Sequence, residues 1–163
     1  MNTQLTFFSP TFGRMDLGEV CQSIFEYVSE EPTFSYSIII GTDSEGYGTV
    51  DFVTAIIVHR VGRGGRCFVT KTRVENIKEL RQKIYQEATL SLTTTQVFVE
   101  ELKKFLSEEF VYKGLEIHVD IGRNGPTKDM IKEVVGMIKG SGYMVRIKPD
   151  AYAASTVADR YTG

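Results

Sequence analysis

Three short apolar runs follow one another in the first half of the chain: Tyr36 to Ile40, Phe52 to Val58 and Cys67 to Val74. Each is rich in strand-forming residues and too short for a buried helix, so each reads as a strand. The links are short as well. Gly41-Thr42-Asp43-Ser44 closes the first run, and Gly62-Arg63-Gly64-Gly65 turns the chain between the second and third. Parallel neighbours need a crossover of about a dozen residues or more, so these strands must form an antiparallel meander.

Then the period changes. No glycine or proline occurs from Ile77 to Phe110, and Leu80, Ile84, Ala88, Leu92 and Thr95 mark one helical stripe. Asn76 and Glu79 have the spacing of a capping box, and the β-branched run Thr93-Thr94-Thr95 predicts a bend or break. Leu115 to Ile121 reads as a fourth strand, Gly122 to Thr127 as a loop and Asp129 to Lys139 as a helix. Tyr143 to Lys148 reads as a fifth strand and Tyr152 to Tyr161 as a last helix. Ahead of the meander, Leu5 to Arg14 reads as an irregular arm. A helix follows, opened by the Asp16–Glu19 pair and closed by Pro32. The two late strand–helix–strand connections imply parallel pairing with right-handed crossovers. The expected fold is therefore α/β: a mixed five-stranded sheet, with an antiparallel three-strand meander followed by two parallel strands, flanked by helices.

The length of 163 residues fits one domain spanning 1–163, with residues 1–32 as the arm and helix before the first strand. A hydrophobic fraction of 42% suffices for a core. No apolar stretch approaches the roughly 18 residues of a membrane span. Met1 to Leu5 lacks the basic and apolar regions of a signal peptide, so the expected location is cytoplasmic. Cys21 and Cys67 are too isolated for a zinc motif or a disulfide framework and read as small buried hydrophobes. A net charge of −2 excludes a strongly basic nucleic-acid coat protein but permits a local basic patch.

The acidic residues are distributed unevenly along this topology. Asp43 follows the first strand, and Asp120 lies near the end of the fourth. If those strands are parallel neighbours, both residues open on one sheet edge, the edge where α/β sheets bind ligands. The long helix can bring Glu87 there, and the last helix Asp159. Glu79 competes for the helix position, but its capping-box spacing explains it locally. Glu87 instead flanks the buried stripe. Asp150 competes with Asp159, but it reads as a cap of the last helix. Carboxylates gathered in this way repel one another, and a divalent ion with a preference for oxygen ligands, Mg²⁺ or Mn²⁺, offsets that repulsion.

The strand order and acidic positions resemble the ribonuclease H-like superfamily. More narrowly, three stretches are similar to the YkuK-type family of predicted ribonuclease H-related nucleases. They are Ile40-Gly41-Thr42-Asp43-Ser44, His118-Val119-Asp120-Ile121-Gly122, and Ile147-Lys148-Pro149-Asp150-Ala151-Tyr152-Ala153-Ala154-Ser155 with Val157-Ala158-Asp159-Arg160. The resemblance implies a three-layer ribonuclease H-like fold and a Mg²⁺-dependent phosphodiester hydrolase, with Asp43, Glu87, Asp120 and Asp159 as metal ligands and catalytic residues.

Between Arg60 and Arg73 lie Arg60, Arg63, Arg66, Lys71 and Arg73 with no acidic residue. Arg63, Arg66 and Lys71 are candidates for contact with a nucleic-acid backbone; protection of a strand edge by charge explains them as well. Lys128 at a helix start is a further phosphate-contact candidate, against a solvated lysine. His118 shares strand parity with Asp120 and reads as a structural histidine or a proton-transfer aid. The expected function is a two-metal nuclease acting on RNA, DNA or a hybrid. The alternative is a catalytically inactive nucleic-acid-binding or protein-interaction module on the same fold.

Overall fold

The computed structural model describes residues 5–151. Its centre is one sheet of seven strands in the order β2-β1-β5-β4-β3-β6-β7. Strands β3 (Tyr36–Ser44), β4 (Gly48–Arg60) and β5 (Gly65–Ile77) form the expected antiparallel meander. Strands β6 (Leu115–His118) and β7 (Met144–Arg146) pair parallel on the far side of β3. Two further strands, β1 (Thr6–Ser9) and β2 (Gly13–Asp16), occupy the segment expected to be an irregular arm. The reason is a period of two that Pro10 obscures in the sequence. Phe7 and Met15 pair and are buried, while Phe8 and Arg14 pair and point outward. Ser9 Oγ accepts from the backbone of Thr11 and Phe12 in the turn, and Gly13 supplies a φ of +76°.

Helix α1 (Leu17–Glu30) begins with the expected capping box. Asp16 Oδ1 accepts from Glu19 N at 2.8 Å, and Glu19 Oε1 accepts from Asp16 N at 2.9 Å. The second expected box does not form. Asn76 takes a left-handed φ of +64°, and α2 (Leu80–Leu102) has Glu79 as an N-cap without a side-chain bond. Gln82 bridges the entry instead, accepting from Lys78 N and donating to Asn76 O. The helix also runs unbroken through Thr93-Thr94-Thr95, because Thr94 and Thr95 are buried and Thr95 Oγ1 donates back to Ser91 O at 2.7 Å. The interruption comes later, at residues 103–107, before α3 (Glu108–Lys113), whose N-cap is Ser107. A 3₁₀ turn, Lys128–Met130, leads into α4 (Ile131–Gly140).

Alternation along the strands sends Ile38, Ile40, Ile56, Val58, Phe68 and Ile117 to one face of the sheet. Ile38 and Ile40 on β3, Ile56 and Val58 on β4 and Phe68 on β5 pack in one apolar cluster with Val20, Ile24 and Tyr27 of α1 and Phe98 and Leu102 of α2. Ile117, Val119 and Ile121 pack with Ile84, Ala88 and Leu92 of α2 and Val134 and Ile138 of α4. Cys21 lies in the first cluster, where burial pushes its thiol well above the ordinary range. The expected last helix, Tyr152–Tyr161, lies outside the described residues.

Candidate active site

The C-terminal end of β3 reaches further than the sequence suggests. Gly41-Thr42-Asp43-Ser44 does not turn away; it continues the ladder with β4 through Asp43↔Val53 and Ser44↔Phe52. Thr42 and Ser44 are tolerated there because each finds a partner beneath α2. Thr42 Oγ1 bonds Thr54 Oγ1 at 2.9 Å and Ser91 Oγ at 2.7 Å, and Ser44 Oγ donates to Glu87 Oε2 at 2.7 Å. This seam ties α2 to the strand that carries Asp43 and lies beneath Glu87.

On the other side, β3 and β6 pair in parallel as far as Gly41↔His118. Asp43 and Asp120 each lie two residues beyond that pair, Asp43 still on β3 and Asp120 in a bend where Ile121 N donates to Val119 O. Asp43 is 9% exposed and Glu87 5%. Burial pushes the Glu87 carboxyl up to about 7; the Ser44 hydroxyl opposes that rise, and the charge of Asp120 adds to it. Asp120 is half-buried, and Lys148 Nζ sits 3.0 Å from its Oδ1. Glu79 stands exposed at the helix start. Asp150 is exposed, its backbone donating to Ile147 O. Asp159 lies outside the described residues.

His118 is almost fully buried, and its Nε2 lies 3.0 Å from Glu116 Oε1. Arg146 Nη2 donates to the other oxygen of Glu116 at 3.1 Å. Burial works to raise the Glu116 carboxyl, but the bonds from Arg146 and His118 outweigh it and hold the group below its ordinary range.

The basic candidates separate. Lys128 is exposed on the segment following β6, beside the carboxylate edge. Lys71 pairs with Val53, which pairs with Asp43, so it lies level with Asp43 two strands away. Arg66 pairs with Val58 and through it with Ile38, five residues down β3 or about 17 Å from the Asp43 level. Its guanidinium lies 4.4 Å from the Tyr27 ring centre, and that of Arg63 lies 5.6 Å from Phe34. Arg60, counted with them in the sequence, turns inward and is structural.

Among the described residues, no group of three or more His, Cys, Asp or Glu side chains is arranged to hold a metal ion. Two features nevertheless fit a cation at this edge. A buried carboxyl is raised by its burial and further by its neighbour's charge, and an ammonium already sits on that neighbour. The donors are hard oxygens, which suit Mg²⁺ or Mn²⁺. Lys148 is the residue that sequence reasoning missed, although its position after β7, the strand beside β6, marks it in retrospect.

Comparison with known proteins agrees with this architecture. A family model described as Ribonuclease H-like matches residues 19–163. The uncharacterized protein YkuK of Bacillus subtilis (strain 168) is 33% identical over 171 aligned positions, covering 99% of each chain. No solved structure matches. The chain thus belongs to the ribonuclease H-like class of proteins and, within it, to the YkuK-type family. No described helix is long and apolar enough to cross a membrane.

Proposed function

We propose that this protein is a divalent-metal-dependent nuclease that hydrolyses phosphodiester bonds of nucleic acid at the Asp43–Glu87–Asp120 edge. The observation that carries the reading is the Glu87 carboxyl on α2, raised first by burial and further by the charge of Asp120 just past the end of β6. A purely structural glutamate at that depth would be saturated with donors, and the partner seen for this one is Ser44, through its hydroxyl and backbone. Asp43, Glu87, Asp120 and, from the last segment, Asp159 would hold Mg²⁺ or Mn²⁺. Bound there, such ions supply an activated water and neutralise charge on the leaving oxygen. Ser44 orients Glu87 by its 2.7 Å bond, and the Thr42–Ser91 contact fixes α2 against β3 so that Glu87 and Asp43 keep their spacing. Lys71 and Lys128 flank the edge and would follow the substrate backbone, with Arg63 and Arg66 available to a longer polymer.

The test is a Mn²⁺-supplemented cleavage screen over labelled single- and double-stranded RNA, DNA and hybrid, run beside Asp43→Asn. Cleavage by the wild type that vanishes in the variant is the expected result. Absence of cleavage, together with retained oligonucleotide binding, would instead identify a binding module on the same fold.

A further inference from the structure

Lys148 is held at the carboxylate edge from three directions. Its backbone N–H donates to Ile121 O at 2.8 Å. Its stem lies over Gly122, where a β-carbon would come within 3.1 Å of Lys148 Cβ, so the glycine leaves the room the lysine occupies. Its ammonium sits 3.0 Å from Asp120 Oδ1, with the side chain 57% exposed. The same lysine lines a cleft of about 340 Å³ with Gly122, Arg123, Asn124 and Pro149. Among the described residues, the polar side chains of that cleft are an ammonium, a guanidinium and an amide, and none is a carboxylate. Its chemistry suits an anion, and it opens beside the carboxylates that would act on a phosphodiester.

One carboxylate oxygen cannot serve an ammonium and a metal ion at once. The ion pair is weak because it is exposed, and the four-carbon stem lets the ammonium move while the backbone stays paired. We propose that Lys148 is an exchangeable counter-cation. It neutralises Asp120 while no metal is bound, and it turns into the cleft beside Arg123 to hold a phosphodiester oxygen of the substrate once Asp120 is taken. The inference rests on the metal-dependent reading above. It makes metal and lysine competitors for Asp120, and metal and nucleic acid cooperative, since each draws the lysine the same way.

The experiment titrates Mn²⁺ into wild type, Lys148→Met, Lys148→Gln and Arg123→Met without nucleic acid, reading free Mn²⁺ by its paramagnetic resonance signal. Both Lys148 variants should bind Mn²⁺ about two- to fivefold more tightly, the range expected on losing an exposed competing ion pair. Arg123→Met removes the same charge from the same cleft without touching Asp120 and should leave Mn²⁺ affinity unchanged. With Ca²⁺ in place of Mn²⁺, all three variants should bind a labelled oligonucleotide more weakly than wild type. Unchanged Mn²⁺ affinity in both Lys148 variants, or equal tightening by Arg123→Met, overturns the exchange while leaving the nuclease reading standing. Absence of Mn²⁺ binding in every protein overturns both.

Discussion

Buried charge lies against both ends of strand β3, and the two ends satisfy it very differently. At the Tyr36 end, Arg60 is 8% exposed and held by several partners. Its Nη2 donates to Tyr27 O at 2.7 Å, its Nε donates to Tyr36 Oη at 3.0 Å, and Glu30 lies 3.5 Å away. Its guanidinium also stacks 3.9 Å from the Tyr27 ring centre. At the Ser44 end, Glu87 is as deeply buried, yet its hydrogen-bond partner is Ser44 alone among the described residues, through hydroxyl and backbone, and the charge of Asp120 outweighs that of Lys83. A charge kept for stability is surrounded until its donors or acceptors are used up. A charge left short of partners beside a like charge raises free energy in the folded state, and such a site suits an ion that arrives from solution.

The sharpest way to break this comparison is to neutralise each end. Asp43→Asn and Asp120→Asn should each lower metal-dependent cleavage on the order of a thousandfold, as the loss of several kcal/mol of transition-state stabilisation implies. The folded protein should be undamaged, with a melting temperature in EDTA equal to or above that of wild type. Wild-type cleavage rates in either variant would remove the carboxylate edge from the chemistry. Arg60→Met should do the reverse, leaving metal affinity intact and lowering the melting temperature by roughly 5 °C or more. A melting curve unchanged by Arg60→Met would mean that saturation of partners is no guide to structural charge here.

The next effect is a pH dependence. Glu87 binds its proton more tightly folded than unfolded, with its carboxyl pushed up to about 7. The folded state therefore holds more protons than the unfolded state between the ordinary glutamate range and neutrality. The stability Glu87 contributes is complete below its unfolded value and is lost as pH rises through about 7. In EDTA, wild type should lose stability between about pH 5 and pH 8, by at most roughly 3 kcal/mol. Glu87→Gln should flatten that slope, as read from urea unfolding at several pH values. A wild-type curve that is flat or rises over that window would show that Glu87 is already ionised with partners.

The two ends of β3 were not equally legible in the sequence. The meander, the parallel pair β6–β7 and the order of the helices follow from run lengths and link lengths, which act locally. The parallel pairing of β3 with β6, which runs as far as Gly41↔His118, follows in turn, because the crossover between them leaves few options. What escaped depended on contacts distant in sequence. The β1–β2 hairpin is stabilised by burial of Phe7 and Met15 against the rest of the core, a fact no local window contains. The strand continues through Thr42 because Ser91, on a helix 49 positions later, takes its hydroxyl. Asn76 lost its expected capping role to Gln82, whose amide serves both Lys78 and Asn76. Arg60 looked like one more surface cation, since only the fold brings Tyr27 and Tyr36 around it.

The smallest expected effect separates the basic residues by distance from the carboxylates. Lys71 and Lys128 stand level with or beside that edge, and neither makes a described ion pair. Arg63 and Arg66 belong to the Arg60 end, where each guanidinium already lies over an aromatic ring. A polymer crossing the edge meets the lysines within its first few nucleotides. It reaches Arg66 only after a further distance of about 17 Å along the strand, and on the opposite face of the sheet, the one α1 covers. Lys71→Glu with Lys128→Glu should thus weaken binding of both short and long oligonucleotides and reduce the dependence of affinity on salt by about two counterions. Arg63→Glu with Arg66→Glu should leave a short oligonucleotide unaffected and reduce affinity only for a long one, by less than the lysine pair does. If the arginine pair weakens short and long substrates equally, the polymer path runs down β4 and β5 to the hairpin. The two ends of β3 would then share one binding surface instead of dividing chemistry from stability.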